Sequence, residues 1–223
     1  MSAAAVRVLI VDDDALMRAG LRGVLSSDEH IEVVGEAADG RDAAYRTRLL
    51  SPDVILMDVR MTDLDGIAAT REVLAQFPDV KVVILTTFEE DDYIFGALSA
   101  GASGFLLKRT TPEELIAAIH TIHAGDSLLS PSVTSRVIER MAARPAPDAS
   151  KDARLQELTP RERDVFEQMA RGLSNAEIAA ELIVEESTVK THVKRVLSKI
   201  GARDRVQAVI IAYESGLTIA GSG

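Results

Sequence analysis

Five short apolar runs alternate with helix-like segments over residues 6–124, and this alternation restricts the possible folds more than any other feature of the sequence. The runs cover residues 6–11, 31–37, 53–57, 81–85 and 104–107. The helix-like segments lie near residues 15–26, 40–50, 66–77, 91–101 and 111–124. Repeated β–α units of this length favour a parallel sheet with helices on both faces. We therefore predict an α/β domain built on a doubly wound, five-stranded parallel sheet with the strand order 2-1-3-4-5.

Four of the predicted strands end in polar residues that can do chemistry. Asp12 and Asp13 follow the first strand, Asp58 the third, Thr86 the fourth and Lys108 the fifth. The carboxyl ends of parallel strands share one edge of the sheet, and this flavodoxin-like order places strands 1 and 3 side by side. A lone Asp at such a position is often only a helix cap. Matching polar residues at four strand ends predict a site instead.

Three carboxylates in one cluster can stay ionised together only when a cation compensates their charge. Oxygen ligands with room for water and phosphate suit Mg²⁺. The implied chemistry is phosphoryl transfer to Asp58, with the ammonium of Lys108 on a phosphoryl oxygen. An enzyme alternative is a haloacid-dehalogenase-like phosphatase, which also uses an Asp nucleophile. That family has a second Asp two positions further on, where this sequence has Arg60, and a GxxxxGK[ST] phosphate loop is also missing.

Composition indicates a soluble globular protein, since 47% of the residues are hydrophobic and 27% are charged. No apolar run approaches the ~18 residues of a membrane span, and there is no cysteine. We therefore expect a cytoplasmic protein without membrane contact. The net charge of −10 is uneven: residues 1–150 hold 14 Lys and Arg against 24 Asp and Glu, whereas residues 151–223 hold 11 of each. The acidic excess therefore says little about whether the second part binds nucleic acid.

The last third of the chain is predicted to be a small all-α domain. Thr159 with Glu162, and Ser174 with Glu177, form capping boxes that mark the starts of two helices. A third helix is predicted from about Ser187 to Ile200, and a fourth from near Asp204 to Gly216. Since the second and third helices are short and separated by only a few residues, they resemble a helix-turn-helix.

The third of these helices carries a basic face. Its apolar residues recur at helical spacing and are expected to face the core: Val189, Val193, Val196, Leu197 and Ile200. Its outer face then presents Lys190, Thr191, Lys194 and Arg195. A merely solvated basic helix is the simpler alternative. On the second helix of a helix-turn-helix, however, a basic exposed face is what entry into the major groove requires, so we predict DNA binding.

Between the two predicted domains the pattern weakens. Residues 130–143 are predicted to form one more helix, and residues 144–152, with two prolines and no apolar anchor, a mobile linker. The predicted division is therefore an α/β phosphoacceptor domain over 1–126, a helix and linker over 127–157, and a DNA-binding helix-turn-helix domain over 158–223.

The polar residues at the strand ends resemble those of the receiver domain of bacterial two-component response regulators. The helical third, with Leu158-Thr159-Pro160-Arg161-Glu162-Arg163, resembles the LuxR-type helix-turn-helix, so the whole chain resembles the NarL/FixJ family. The resemblance implies that Asp13, Asp58 and the backbone carbonyl of Arg60 bind Mg²⁺ directly, while Asp12 acts mainly through a water. It also implies that Thr86 and Lys108 bind the phosphoryl group and that Phe105 is an aromatic switch residue that moves inward with Thr86.

The same resemblance assigns roles in DNA binding and implies partners. Lys190, Thr191 and Lys194 are expected to reach bases, with Arg195 on the same face. Phosphate contacts are expected from Asn175, Lys199 and Arg203. The implied partners are a cognate sensor histidine kinase, promoter DNA and RNA polymerase, with a homodimer forming after phosphorylation.

Four residues depart from the family's usual pattern. Thr62 stands where Pro is usual, which predicts a less rigid loop after Asp58. Asp14 replaces a frequent His, and Arg109 replaces a frequent Pro after the lysine. Glu185 replaces a frequent Ser, so the third C-terminal helix is expected to have a poorer N-cap.

Two weaker interpretations complete the sequence analysis. A ligand-gated regulator would place a small-molecule sensor on the same DNA-binding module, but aromatic residues make up only 4% of the chain and would line a pocket poorly. His120 and His123 are three residues apart on a predicted helix, and without a third ligand nearby they are expected to be surface residues rather than a metal site.

Overall fold

The computed structural model describes residues 4–87, 91–124, 153–215 and 217, apart from the side chains of residues 91, 92, 153, 213 and 214. The chain divides into two compact units, Met1–Ser130 and Pro131–Gly223. The helix predicted over 130–143 and the linker predicted over 144–152 lie outside the described residues. The predicted boundaries at 126 and 157 therefore stay predictions.

The first unit is built on a five-stranded parallel sheet. Its strands are β1 (Val6–Val11), β2 (Ile31–Ala37), β3 (Val54–Asp58), β4 (Lys81–Thr86) and β5 (Gly104–Leu107). They lie in the order β2-β1-β3-β4-β5, and all four pairings are parallel. This confirms the predicted α/β fold and strand order, with β3 at the centre of the sheet.

Five helices connect or follow these strands. They are α1 (Ala15–Leu25), α2 (Gly40–Leu50), α3 (Gly66–Gln76), α4 (Asp91–Ala100) and α5 (Pro112–His123). Every strand and helix of this unit agrees with the sequence prediction to within one residue at each end. The helix starts were predictable because each is marked by a capping residue. The side chains that cap them belong to Asp14, Asp39, Asp65 and Thr111.

The central strand is buried along its whole length. Val54 to Met57 have no exposed surface, because a parallel strand covered by helices on both faces has no solvent side. Side chains of β1 and β3, among them Val8, Ile10 and Leu56, pack against Leu115 and Ile119 of α5 in one apolar cluster. This packing fixes the register in which β1 and β3 end beside each other, from Val8 against Val54 to Val11 against Met57.

The second unit is all-helical. Its helices are α6 (Ala153–Gln156), α7 (Pro160–Ala170), α8 (Asn175–Leu182), α9 (Glu186–Ile200) and α10 (Arg205–Glu214). Phe166 and Met169 of α7, Ile178 of α8 and Val196 of α9 form the centre of its core. Both predicted capping boxes are present, and α9 ends at Gly201 in the left-handed conformation, with φ +68°.

Helices α8 and α9 form the predicted helix-turn-helix, with a turn over residues 183–185. The predicted end of the last helix at Gly216 lies outside the described residues. Within the described ranges, none of the helices combines the length and apolarity needed to cross a bilayer.

Candidate functional site

Asp58 is the last residue of the central strand. It is 6% exposed, and it lies opposite Leu85 of β4. The chain then turns sharply, since the Gly66 N–H at the start of α3 donates to the Val59 carbonyl over 2.9 Å. A glycine is required there, because a Cβ at residue 66 would lie 1.9 Å from the Asp58 carbonyl oxygen. The strand end and the helix start thus hold the Asp58 backbone from both sides.

Asp12 lies just after β1, beside Asp58, and is 1% exposed. Its Oδ1 accepts a hydrogen bond from the Asp14 N–H over 2.9 Å, which fixes the carboxylate. Asp14 itself is the N-cap of α1, because its Oδ1 accepts from the Leu16 N–H over 2.8 Å. The extra acidic residue in the run is therefore used by the helix start.

Lys108 brings a positive charge to these carboxylates from the end of β5. Its Nζ lies 2.7 Å from Asp12 Oδ2 and 3.0 Å from Asp58 Oδ2, and its side chain is only 11% exposed. Its backbone N–H donates to the Thr86 carbonyl over 2.7 Å, which ties the ends of β4 and β5 together. The structure therefore brings Asp12, Asp58, Thr86 and Lys108 to one edge of the sheet.

Burial and the contact with Lys108 shift the pKa of the Asp58 carboxyl in opposite directions. Burial raises the pKa of the Asp58 carboxyl above its ordinary value, although hydrogen bonding to Lys108 and to the Arg60 backbone lowers it. Burial alone would lower the pKa of Lys108, but hydrogen bonds to Asp12 and Asp58 outweigh it and raise that pKa. The lysine therefore stays protonated, whereas Asp58 in its buried position would gain from a further positive charge.

The acidic cluster fits a magnesium ion. One carboxylate oxygen each from Asp12, Asp13 and Asp58 lie within 4.8 Å of one another. Oxygen donors are the ligands that Mg²⁺ prefers, and a cation would lower the raised pKa of Asp58. Asp13 is exposed, so the cluster is open to solvent on that side and leaves room for water or phosphate.

The predicted switch aromatic, Phe105 on β5, is already inside the unit. It is 2% exposed and lies beside Ile84 of β4 in the sheet register. Thr86, at the end of β4, is 1% exposed. Phe105 is therefore buried in this structure, and its inward movement with Thr86 stays a prediction.

A contact that the sequence interpretation missed involves Thr62. Its Oγ1 donates to Asp13 Oδ2 over 2.9 Å, so the loop after Asp58 is tied to the end of β1. The signal in the sequence was the replacement of the usual Pro, which was interpreted only as a loss of rigidity. A hydrogen bond between residues 49 positions apart cannot be read from spacing.

The basic face of α9 lies as the helical spacing predicted. Val189, Val193, Val196 and Ile200 are buried. Exposed positions on the same helix are Lys190, Thr191, Lys194 and Arg195. Lys190 forms a solvent-exposed ion pair with Glu186, over 2.9 Å, within the helix. Such a solvent-exposed pair contributes little to the stability of the fold.

Glu185 precedes α9 and makes no side-chain capping bond, in agreement with the poorer cap expected there. Two predicted phosphate contacts have partners inside the unit. Lys199 Nζ lies 2.6 Å from Glu162 Oε2, and Asn175 Oδ1 accepts from Arg205 over 3.0 Å. These contacts give both residues a structural role, while their DNA contacts, and that of Arg203, stay predictions.

The Glu162–Lys199 pair joins the start of α7 to the end of α9. Glu162 is 3% exposed and also completes the capping box, since its Oε2 accepts from the Thr159 N–H over 2.9 Å. Hydrogen bonding to Lys199 and to the Thr159 backbone lowers the pKa of Glu162 to about 2, from an ordinary 4.5. A lowered carboxyl pKa favours folding above the ordinary value, and this contribution is lost as the pH falls toward the folded value.

We therefore expect the thermal stability of the second unit to fall between about pH 4.5 and pH 2 through this carboxyl. A Glu162→Gln variant should be less stable at pH 7 and should show a weaker fall over that window. Glu181→Gln, at an exposed position of α8, is the matched control. Thermal unfolding followed by circular dichroism at a series of pH values measures this. Equal pH profiles for the wild-type protein and Glu162→Gln would contradict it.

Each of the two units matches a known protein family. The family model described as "Response regulator receiver domain" matches residues 8–120. The model described as "Bacterial regulatory proteins, luxR family" matches residues 156–212. The protein is thus a DNA-binding transcription regulator that carries a receiver domain and a LuxR-type helix-turn-helix. The match of its first unit to a receiver domain argues against the ligand-gated alternative.

Relatives match over nearly the whole chain. The uncharacterized transcriptional regulatory protein YxjL of Bacillus subtilis is 43% identical over 95% of this chain and 97% of its own length. The response regulator protein VraR of Staphylococcus epidermidis is 42% identical over 96% of this chain and 99% of its own. The solved structure of the two-component response regulator RcsB–DNA complex is 25% identical, with a TM-score of 0.56, over 96% of this chain and 100% of that one. The chain belongs to the LuxR-type response regulators of two-component systems, as its resemblance to the NarL/FixJ family predicted.

Proposed function

We propose that a sensor histidine kinase switches this response regulator by phosphorylating Asp58, and that the phosphorylated chain assembles on promoter DNA. The observation that carries the proposal is the position of the Lys108 ammonium, within 3.0 Å of both Asp12 and Asp58 at the buried end of the central strand. An aspartate held beside a fixed cation and two further carboxylates is suited to accept a phosphoryl group.

In the proposed transfer, a carboxylate oxygen of Asp58 forms a bond to phosphorus while the bond between phosphorus and the kinase histidine nitrogen breaks. Lys108 would exchange its contact with Asp58 for one with a phosphoryl oxygen, and Thr86 would donate a hydrogen bond to another. Asp13, Asp58 and the backbone carbonyl of Arg60 would hold Mg²⁺ directly. Asp12 would act mainly through a bound water. The ion supplies positive charge against the phosphoryl oxygens.

The proposed switch then acts through Thr86 and Phe105. Because Phe105 is already buried, phosphorylation would stabilise its inward position through the contact of Thr86 with the phosphoryl group. A phosphoryl group adds about −1.5 to −2 units of charge to this edge of the sheet. The surface that would respond is the one beside β4 and β5, and we propose that two copies pair through it.

Assembly would raise DNA affinity by linking two recognition helices. When one α9 helix binds a half-site, its partner is held near the second half-site at a high effective concentration. The gain needs no change in the DNA-reading surface itself. RNA polymerase is the proposed further partner at the promoter, and a cytoplasmic location is proposed because promoter DNA lies there.

Sedimentation with and without beryllofluoride, a phosphoryl mimic, tests this function when DNA binding is measured on the same samples. We expect beryllofluoride with Mg²⁺ to raise the mass from monomer to dimer and to tighten DNA binding. If neither quantity changes, the proposal is overturned. Tighter DNA binding at an unchanged mass would instead mean that phosphorylation relieves an inhibition within one chain.

Base contacts by Lys190 and Lys194 are the second part of the proposal, supported by their exposure on α9. Replacing either by Ala should cost about 1–3 kcal/mol of binding free energy on a specific site. Thermal stability should change little, because both side chains are exposed. Fluorescence anisotropy with a labelled promoter fragment measures the loss.

Arg171→Ala is the matched control for these lysine variants. Arg171 is exposed and lies at the end of α7, so the variant removes a positive charge outside the recognition helix. Its effect on specific binding should be smaller than that of either lysine. Unaltered DNA affinity in both lysine variants would show that α9 is not the recognition helix.

A further inference from the structure

The loop between β3 and α3 reaches across the acidic edge to the end of β1. Thr62 lies four residues after Asp58, and its Oγ1 donates to Asp13 Oδ2 over 2.9 Å. Both residues are exposed, so this hydrogen bond competes with water and adds little to the stability of the fold. Its effect is local, because it fixes the position of one carboxylate.

We propose that Thr62 is a positioning residue that holds Asp13 ready to bind Mg²⁺. Asp12 is fixed by the Asp14 N–H and by Lys108, and Asp58 by Lys108. Asp13 is the exposed member of the trio, and Thr62 supplies its hydrogen bond from a distant part of the chain. This inference rests on the proposed magnesium site.

The chemistry of the contact supports a positioning role. A hydroxyl that donates to one oxygen of a carboxylate restricts its rotation and leaves the other oxygen available to a cation. Without the donor, an exposed Asp13 would lose rotamer freedom on binding the ion, and affinity would fall. A proline at position 62 could not make this contact, because it has no side-chain donor.

The contact also bears on the expectation of a less rigid loop after Asp58, which stays a prediction. Thr62 lacks the fixed backbone angle of the usual Pro, but its side chain ties the loop to β1 instead. The loop also carries Arg60, whose backbone carbonyl is the third proposed ligand. One hydrogen bond therefore links two of the segments that would supply ligands to the ion.

The test compares Mg²⁺ binding to the full chain by isothermal titration calorimetry, without any phosphoryl donor. Thr62→Val keeps the shape of the side chain but removes the hydroxyl, and should weaken binding by about tenfold. Thr62→Ser keeps a donor and should bind within about twofold of the wild-type protein. Thr121→Val, which removes a hydroxyl that bonds within α5, is the matched control and should bind as the wild type does.

Three outcomes distinguish a failure of the Thr62 inference from a failure of the proposed magnesium site. If the wild-type protein binds no Mg²⁺, the magnesium site itself is wrong. If the wild type binds Mg²⁺ and Thr62→Val binds equally well, Thr62 has no positioning role. If Thr62→Ser is as weak as Thr62→Val, the loss does not come from the hydroxyl, and the inference is overturned as well. Thermal unfolding of each variant shows whether the fold is retained.

Discussion

An Asp58→Asn variant is expected to lose all Mg²⁺-dependent labelling by acetyl phosphate. The amide that replaces the carboxylate has no oxygen able to form a stable bond to phosphorus at neutral pH. The fold should tolerate the change well, because burial already raises the pKa of the Asp58 carboxyl and so disfavours its charged form. Intact-protein mass spectrometry after incubation with acetyl phosphate and Mg²⁺ measures the label as one added phosphoryl group.

Asp63→Asn is the matched control for that loss. Asp63 lies in the same loop, five residues further on, and is exposed. It should accept no phosphoryl group in the wild-type chain, so its removal should leave labelling intact. Thermal unfolding of Asp58→Asn at or above the wild-type temperature would show that the lost label is chemical and not a consequence of unfolding. Label that survives in Asp58→Asn would mean that another residue is the acceptor.

The sequence predicted the fold well because its signals are local. Each strand is a short apolar run, and each helix start carries its own capping residue, such as Thr111, Thr159 or Ser174. Asp58 and Lys108 could be predicted to lie at the same edge of the sheet, because each follows or ends a strand. The strand order decides which of these strand ends are neighbours. Helical spacing likewise separated the buried valines of α9 from its basic face.

The contacts that sequence reasoning missed join residues far apart in the chain. Thr62 with Asp13 and Lys199 with Glu162 are separated by 49 and 37 positions. Local spacing contains no information about which of many polar side chains meet across a fold. Lys199 is an example: the family resemblance implies a phosphate contact, which stays a prediction, and gave no sign that the side chain also holds the nearly buried carboxylate of Glu162.

His120 is a similar case. It was expected to be a surface residue, and its side chain is indeed 36% exposed, but its Nε2 lies 3.1 Å from Asp28 Oδ2. That contact ties α5 to the loop after α1 and lowers the pKa of the Asp28 carboxyl. The absence of a third ligand nearby in the sequence predicted a surface position, whereas the partner, 92 positions away, could not be predicted.

A Gly66→Ala variant is expected to destabilise the receiver unit strongly. The new Cβ would lie 1.9 Å from the Asp58 carbonyl oxygen and 2.8 Å from its carbon. Both are backbone atoms of the central strand, so neither can move aside as a flexible side chain would. We expect a loss of about 3 kcal/mol or more in the free energy of unfolding. Phosphoryl labelling should fall as well, because relief of the clash displaces Asp58.

Gly23→Ala is the opposite case and the matched control. Gly23 lies within α1, where a new Cβ would meet nothing within 4 Å. Alanine is the better helix former, so this variant should gain about 0.5–1 kcal/mol. The two substitutions are chemically identical and differ only in what surrounds the added methyl group.

Amide hydrogen exchange followed by mass spectrometry separates the two effects in the full chain. Peptides from β1 and β3 should exchange faster in Gly66→Ala and slower in Gly23→Ala, since global opening of the receiver unit limits their exchange. Peptides from α7 and α9 serve as an internal reference, because they belong to the other unit. Wild-type exchange in β3 of Gly66→Ala would mean that the turn after Asp58 can open without cost. The tight approach of α3 to the strand end would then not be what holds the phosphoacceptor in place.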